Sequence, residues 1–586
     1  MPFFRCLLPS LLLMLFSLLS CSSHSEYPYT TVAGDPCGTR LYTLPGGVKL
    51  YVARTTDQPR LSAALYMPSV ASDTLGNLCS ESVYSREYPM LFARIGSDVS
   101  RVIDYKGSTL VCNNIPSNEL ENWAVIMQGS FTALPDSLSI VLFGDVVYDD
   151  AVATMARHFE KIPHLPSPVA ASADDEKSLL ANVRSSFFGN NFEAERVVSL
   201  FDICSEAKNS IKLLPSPPAK VIFPDTDELK IKKVSDGSRM VVAECNDTIF
   251  TFTLRSRLKE LPSSFLALIK DYFDASLNAE NDSLSPVTQV KIDKNLHTLE
   301  LSVTGGNDNV QQLVTKAVQR WKSVADGGEF YKYLLANGGV VAASKENYEN
   351  IAMQAAAYIT GGKRLCGTRE LARYSMDALF ASSGEVCFSG KNADKIYALL
   401  PNMINSAATP CLADFSAEDD TLPRYFLLPS DADSAVTVTL GGAYESVEDY
   451  AAIALFNKAA SLSNALPSAQ FYSDGALLST GDYQPFTRDA FDAAKSFLLY
   501  DCSTYGSNAQ SLLKEYAILK ACGYTSSQFY DALMRLSFSD VEDFYVRHKE
   551  NAVTQLIIGC ESSLNLREIK NNGRVVHLTS AELFGY

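Results

Sequence analysis

A short unit made of an apolar strand, a glycine and an amphipathic helix occurs three times along this chain, and that recurrence limits the possible folds more than any other feature. Residues 139–163, SIVLFGDVVYDDAVATMARHFEKIP, form the first copy, with the strand ending at Gly144-Asp145 and Ala151, Met155 and Phe159 falling on one helical face. Residues 384–404, GEVCFSGKNADKIYALLPNMI, repeat it around Gly390, and residues 553–576, VTQLIIGCESSLNLREIKNNGRVV, repeat it around Gly559. An opening unit occurs twice. Residues 41–67 read as an apolar run, a Gly46-Gly47 turn, a strand, a polar break and an alternating strand; residues 229–256 follow the same plan, with Asp236-Gly237 as the turn and Thr251, Thr253 and Arg255 alternating with apolar neighbours. A strand with one helix cannot bury its own apolar faces, so the repeats predict an α+β chain of repeated domains. Strands and helices interleave without strict βαβ alternation, which predicts mostly antiparallel sheets with helices packed on one face.

At 586 residues and 47% hydrophobic composition the chain can bury several cores. Residues 163–176 and 214–226 are rich in proline, and residues 410–424 combine proline with an acidic run; segments of this kind connect domains. The expected division is a signal over 1–20, a tether over 21–36, a first domain over 37–165, a linker or partial domain over 166–225, a second domain over 226–409, a linker over 410–424 and a C-terminal domain over 425–586. Val310, Leu313, Val314, Ala317, Val318 and Trp321 recur at helical spacing within 309–323 and read as a core-facing helix.

The N-terminus carries an address. Arg5 precedes an apolar run from Leu7 to Leu19, too short for a comfortable membrane span and followed by small residues, as in a secretory signal. The run closes on Leu18-Leu19-Ser20-Cys21, which resembles the lipobox of bacterial lipoproteins, and Ser22, Ser23, His24 and Ser25 supply a polar tether. Covalent lipid on Cys21 is therefore expected as the membrane anchor, with a location in the cell envelope as an outer-membrane lipoprotein, on either its periplasmic or its surface face. One acyl chain anchors weakly, and the two or three expected at such a cysteine suffice. A net charge of -17 without any basic run argues against nucleic acid as a partner. Beyond Cys6 and Cys21, eleven cysteines lie scattered from Cys37 to Cys560 with no CxxC pair, so most read as small buried hydrophobes and one or two disulfides remain open.

Several of these features together resemble the insulinase (pitrilysin) family of zinc metallopeptidases, and in particular its exported members from Bacteroidota. The resemblance is carried by the opening hairpin followed by Pro59-Arg60-Leu61-Ser62-Ala63, by the first closing unit ending in Phe159-Glu160-Lys161-Ile162-Pro163, and by the terminal Gly573-Arg574-Val575-Val576 through Glu582-Leu583-Phe584-Gly585-Tyr586. It touches most of residues 37–586. Family members hold zinc with an HxxEH helix, in which two histidines bind the metal and the glutamate activates water, and with a second glutamate on a later helix. The motif should fall in residues 68–89, PSVASDTLGNLCSESVYSREYP, which contain no histidine. The helical section that carries the later glutamate is also reduced here, with only Thr132 to Ser137 between a helix over 118–131 and the closing strand. No catalytic residue, no metal ligand and no zinc cofactor are expected from this pattern.

Other chemistries are not supported either. His24, His158, His164, His297, His548 and His577 are scattered, and the pair His158 and His164 straddles a helix end. Gly361-Gly362-Lys363 is followed by Arg364 where a phosphate-binding loop needs Ser or Thr, and no GxSxG elbow exists. Glu418, Asp419 and Asp420 read as a solvated acidic run, and Asp145 as a capping or turn-stabilising residue. Asp-Ser/Thr-apolar triplets at Asp73, Asp136, Asp247, Asp282, Asp420 and Asp433 are similar to the O-glycosylation signal of exported Bacteroidota proteins. The expected function is that of a non-catalytic binding or structural subunit, with an active peptidase homologue, an outer-membrane assembly or an extended peptide as partner. An active zinc peptidase with ligands elsewhere is the first rival. A peptide- or glycan-binding surface lipoprotein is the second, although Trp123 and Trp321 are the chain's only tryptophans.

Overall fold

The computed structural model describes residues 27–33, 37–55, 59–68, 87–103, 107–131, 134, 135, 137–165, 179, 180, 183, 211–217, 221–234, 239–244, 249–257, 263–278, 287–293, 298–336, 368–380, 385–402, 424–429, 436–440, 446–463, 469–471, 477–480, 486–503, 509–550, 554–560, 562 and 564–579. Cys21, His24, His297, residues 69–86 of the expected zinc-motif stretch, Gly361-Gly362-Lys363, the acidic run at 418–420 and the aspartates of all six Asp-Ser/Thr triplets lie outside the described residues.

The strands assemble into three large sheets, in which Arg60–Pro68, Ser139–Gly144 and Glu385–Ser389 are buried along their whole length. The first takes β1 (Tyr29–Thr31), β2 (Arg40–Thr43), β3 (Lys49–Arg54), β4 (Arg60–Pro68), β5 (Asp98–Ile103), β6 (Gly107–Pro116) and, beyond the short β7 (Leu134–Pro135), β8 (Ser139–Gly144). Their order is β1-β2-β3-β8-β4-β6-β5, while β7 pairs separately with β9 (His164–Leu165). The stretch read as a tether thus contains β1, whose backbone pairs antiparallel with β2. The second sheet takes β10 (Lys230–Lys233), β11 (Arg239–Ala243), β12 (Ile249–Arg257), β13 (Val287–Asp293), β14 (Thr298–Gly306) and β15 (Glu385–Ser389), in the order β10-β11-β15-β12-β14-β13. The third takes β16 (Arg424–Pro429), β17 (Val436–Leu440), β18 (Ala469–Phe471), β19 (Leu477–Thr480), β20 (Thr554–Gly559) and β21 (Arg574–His577), ordered β18-β19-β17-β20-β16-β21.

One plan underlies all three. The last strand of the first two units, β8 or β15, inserts between the second strand of the opening hairpin and the alternating strand, parallel to the former and antiparallel to the latter. β20 does the same between β16 and β17. The opening hairpin β2-β3 forms over Gly46-Gly47 as its glycines predict, with positive φ at both. β3 and β4, adjacent in sequence, are separated in space by β8. In the third unit, among the described residues, β21 pairs parallel with β16 in the place that β2 and β10 take in the other two.

Helices follow the same scheme. The first unit has α1 (Glu87–Arg94), α2 (Leu120–Ser130) and α3 (Tyr148–Phe159). The second has α4 (Ser263–Asn278), α5 (Val310–Val324), α6 (Gly327–Ala336), α7 (Thr368–Leu379) and α8 (Ala393–Tyr397). The third has α9 (Val447–Ser463), α10 (Arg488–Ser503), α11 (Ala509–Cys522), α12 (Ser526–Arg535), α13 (Phe538–Glu550) and α14 (Leu566–Asn572). Leu50, Val52, Leu61, Ala63, Leu65 and Ile140 face Trp123 and Phe159 in the first core; Phe250, Phe252, Leu254, Leu301 and Val303 face Trp321 and Phe273 in the second. The predicted helix over 309–323 appears as α5, with Val310, Val314, Ala317, Val318 and Trp321 buried. The third closing unit differs from the other two, since α14 buries none of its residues. No helix among the described residues is long and apolar enough to cross a membrane.

Candidate functional site

The residues singled out for chemistry turn out to hold structure. Asp145 does not cap α3, whose N-cap is Val147. Its carboxylate accepts from Ser117 Oγ at 3.2 Å and its N–H donates to the Arg60 carbonyl at 2.9 Å, so it fastens the closing turn to the entry of α2. His158 is buried, with Nε2 2.7 Å from Glu121 Oε1 and Nδ1 2.7 Å from Gln128 Oε1. Both ring nitrogens are engaged between α2 and α3, which leaves neither for a metal shared with His164. Burial works to raise the Glu121 carboxyl, but His158, Arg157 and Thr154 outweigh it and hold it below the ordinary carboxylate range. His548 packs edge-on against Phe471 at 5.1 Å, and His577 is exposed at the end of β21. Cys112, Cys387 and Cys502 are buried thiols, and burial pushes Cys112 up to about 12 and Cys387 up to about 11. These are unreactive core groups.

Among the described residues, no group of three His, Cys, Asp or Glu side chains could hold a metal ion, and residues 69–86, where the resemblance puts the zinc motif, lie outside them. The place where the resemblance puts a second glutamate is also reduced in a way that the chain's own repeats measure. Between the helix that follows β6, β14 or β19 and the inserted strand, the second unit spends residues 325–384, with α6 and α7, and the third spends 504–553, with α11 to α13. The first unit spends only 131–138.

What the fold brings together is a pair of polar junctions between units. The first centres on Glu119, 3% exposed at the entry of α2. It accepts from Tyr500 Oη at 2.7 Å, from Ser216 Oγ at 2.5 Å and from Asn122 Nδ2 at 2.7 Å. Asn122 in turn holds the connector, accepting from the Leu214 N–H at 2.6 Å and donating to the Leu214 carbonyl at 3.0 Å. Tyr500 lies on α10, so a single carboxylate ties the first unit, the connector and the third unit together. Burial and Glu119 push the Tyr500 phenol up to about 12. Close beside it, Gly96 has φ +77, and a Cβ there would stand 2.4 Å from Tyr500 Cβ. Ala93 enters the core of the third unit, and Arg94 pairs with Asp489 at 3.5 Å.

The second junction lies on the face of the second sheet turned away from its core. In the first sheet the matching face is apolar, with Tyr51, Ala53, Ala64, Tyr66, Val141 and Phe143 covered by Leu179, Leu180 and Val183. In the second it is polar. Register sets Arg239, Glu385, Arg255, Glu300 and Lys291 in one row across β11, β15, β12, β14 and β13. Arg255 Nε donates to Glu300 Oε1 at 2.5 Å, and Arg255 Nη1 stands 3.9 Å from Glu385 Oε2. From α11, Lys520 pairs with Glu385, while Leu513 and Tyr516 cover Val241, Ala243 and Cys387. Burial works to raise Glu300, yet Arg255, Lys291 and Lys514 hold it below the usual range. Burial lowers the Lys291 ammonium, and Arg60, Lys514 and Arg255 lower it further against the pull of Glu300. Sequence reasoning missed Glu119, Tyr500 and Lys291. The alternation of Thr251, Thr253 and Arg255 was the one signal of a polar face, and it named one strand of the row.

No model of a known protein family and no curated protein matches the chain. Among solved structures it is similar to pitrilysin, at 9% identity and a TM-score of 0.38, over 96% of this chain and 99% of that one. It is also similar to the periplasmic protease PqqL from Escherichia coli, at 10% identity and a TM-score of 0.35, over 88% of this chain and 74% of that one. A conserved protein from Enterococcus faecalis V583 is similar at 11% identity and a TM-score of 0.38, over 58% of this chain and all of that one. Likeness at this level concerns the course of the backbone and carries nothing about activity.

Proposed function

We propose that this chain is a degenerate, non-catalytic insulinase-peptidase-like lipoprotein, anchored through lipid on Cys21, that serves as a binding or structural subunit of a bacterial envelope complex at the outer membrane. The observation that carries the reading is the contrast inside the chain: three sheets keep one strand plan, while the first unit lacks the long helical insertion that the other two possess. A scaffold kept without the segment that would complete a metal site favours binding over hydrolysis. The absence of histidine from residues 68–89 supports the same conclusion. Each sheet ends in edge strands, and an edge can accept an extended peptide as a further strand. Glycan binding has less to draw on, because Trp123 and Trp321 are both fully buried and offer no platform.

The test is isolation of the full chain from native membranes in mild detergent, with metal analysis of the same preparation. Co-isolation of one envelope protein at a fixed ratio, without zinc, is expected, and Cys21→Ser should move the chain out of the membrane fraction. Recovery as a free monomer under conditions that preserve other envelope complexes would overturn the subunit role. Stoichiometric zinc with chelator-sensitive cleavage of unstructured peptides would establish the peptidase instead.

A further inference from the structure

We propose that the rim of the first unit formed by Tyr29, Arg40, Val147 and Tyr148 is a membrane-docking face that rests on zwitterionic phospholipid headgroups. The inference depends on the lipid anchor at Cys21 proposed above and adds which face of the protein that anchor presents to the bilayer.

Covalent reach sets the distance. Tyr27 lies six residues after Cys21. A chain extends at most ~3.3–3.6 Å per residue, so whatever course this stretch takes, Tyr27 stands within about 20–22 Å of the acylated residue. An acylated cysteine sits where hydrocarbon meets headgroups, and the headgroup layer of one leaflet is about 5–8 Å thick, which leaves Tyr27 at most about 17 Å beyond it. Tyr27 packs against the first core, so the folded unit itself is held at that distance. Two residues further on β1 begins, and all three of its residues are exposed.

The face beside that entry has the composition of a lipid interface. Tyr29 is 43% exposed and Val147 49%, both among the large apolar residues that the fold leaves in solvent. Register sets Tyr29 opposite Tyr42 on β2. Arg40, two residues before Tyr42 and so on the same face of β2, lays its guanidinium 4.3 Å from the Tyr29 ring and 3.9 Å from the Tyr148 ring. Val147, the N-cap of α3, adjoins Tyr148. The two rings hold Arg40, whose planar set of N–H donors matches a phosphate. Tyrosine and arginine each combine an apolar body with a polar end, which suits them to the headgroup layer. Charge selects the kind of lipid. Asp149 and Asp150 are exposed in the first turn of α3, so the rim carries both signs. A zwitterionic headgroup brings a phosphate for Arg40 and an ammonium for these carboxylates, whereas an anionic surface opposes them and the chain's net charge of -17.

Tyr29→Trp in the full lipidated chain, reconstituted into phosphatidylethanolamine–phosphatidylcholine vesicles brominated on the acyl chain near the headgroup, tests the proposal by fluorescence. Trp123 and Trp321 are fully buried, so the added indole is the one that lipid can reach. Flotation establishes that the chain is bound, and circular dichroism with thermal melting establishes that each variant is folded. Emission of Tyr29→Trp should shift to the blue and lose intensity relative to unbrominated vesicles. Met534→Trp, at an exposed position on α12 in the third unit, should keep its intensity. Arg40→Gln combined with Tyr29→Trp should lessen the loss without releasing the chain, and phosphatidylglycerol in place of the zwitterionic lipids should lessen it too. No loss for Tyr29→Trp in the floated chain, or an equal loss for Met534→Trp, would overturn the docking face and leave the anchor standing. Shielding of Tyr29→Trp from acrylamide without quenching by bromolipid would put a protein partner on the rim and overturn it likewise. Failure of the chain to float would overturn the anchor and the docking face together.

Discussion

Replacing Tyr500 by Phe removes one hydroxyl from the junction that joins the first and third units. The Tyr500 Oη to Glu119 distance is 2.7 Å, and Glu119 is 3% exposed, so water does not readily take the vacated place. Hydrogen bonds to charged groups contribute about 1.5–3 kcal/mol, and Glu119 retains Asn122 and Ser216 as donors, which places Tyr500→Phe near the lower end, at ~1.5–2 kcal/mol. Global unfolding is a poor readout in a chain of several cores. Amide hydrogen exchange is better, because the Leu214 N–H donates to Asn122 Oδ1 at 2.6 Å and reports the junction directly. A loss of ~1.5–2 kcal/mol corresponds to about 10- to 30-fold faster exchange at Leu214 and through the entry of α2, where exchange follows local opening. Tyr500→Phe combined with Glu119→Gln should cost less than the two separately, since the partners are in contact. Unchanged exchange at Leu214, or loss of protection confined to α10, would refute the idea that one carboxylate holds all three segments.

Three further outcomes follow from the same geometry. Gly390→Ala places a methyl 2.8 Å from Phe250 Cβ at φ +137, a backbone region costing side chains about 1–3 kcal/mol before the clash is counted, so the second unit should become protease-sensitive at a lower temperature. Trp321→Ala, at a fully buried position stacked on Phe252 with ring centroids 6.3 Å apart, should destabilise the second core by about 3–5 kcal/mol in denaturant titration. The Tyr500 phenol is raised from 10.0 to about 12 in the folded chain, so the neutral form is favoured by folding. Its contribution is complete below pH 10 and lost as pH rises through about 12, and an alkaline stability profile of Tyr500→Phe should lack that segment.

The repeats, the helix over 309–323 and the mostly antiparallel sheets were legible in the sequence because periodicity and turn glycines are local signals. Strand neighbours were less so. Nothing between Lys49 and Pro68 announces that β8 enters between β3 and β4, or that β21 takes the place beside β16. Glu119 looks like an ordinary polar residue at a helix entry until Tyr500, hundreds of residues later, reaches it. Asp145 reads from the sequence as a capping or turn-stabilising residue, and its bond to Ser117, with Val147 as the N-cap of α3, decides for the turn.

By itself, the sequence determined which faces must be buried, where the chain turns and the lack of histidine in residues 68–89. The tertiary structure decided which charges meet. Lys291, Glu300, Arg255 and Glu385 come from four strands, and their alternation exists only because register aligns them. Electrostatic energy depends on distance in space, and separation along the chain says little about it.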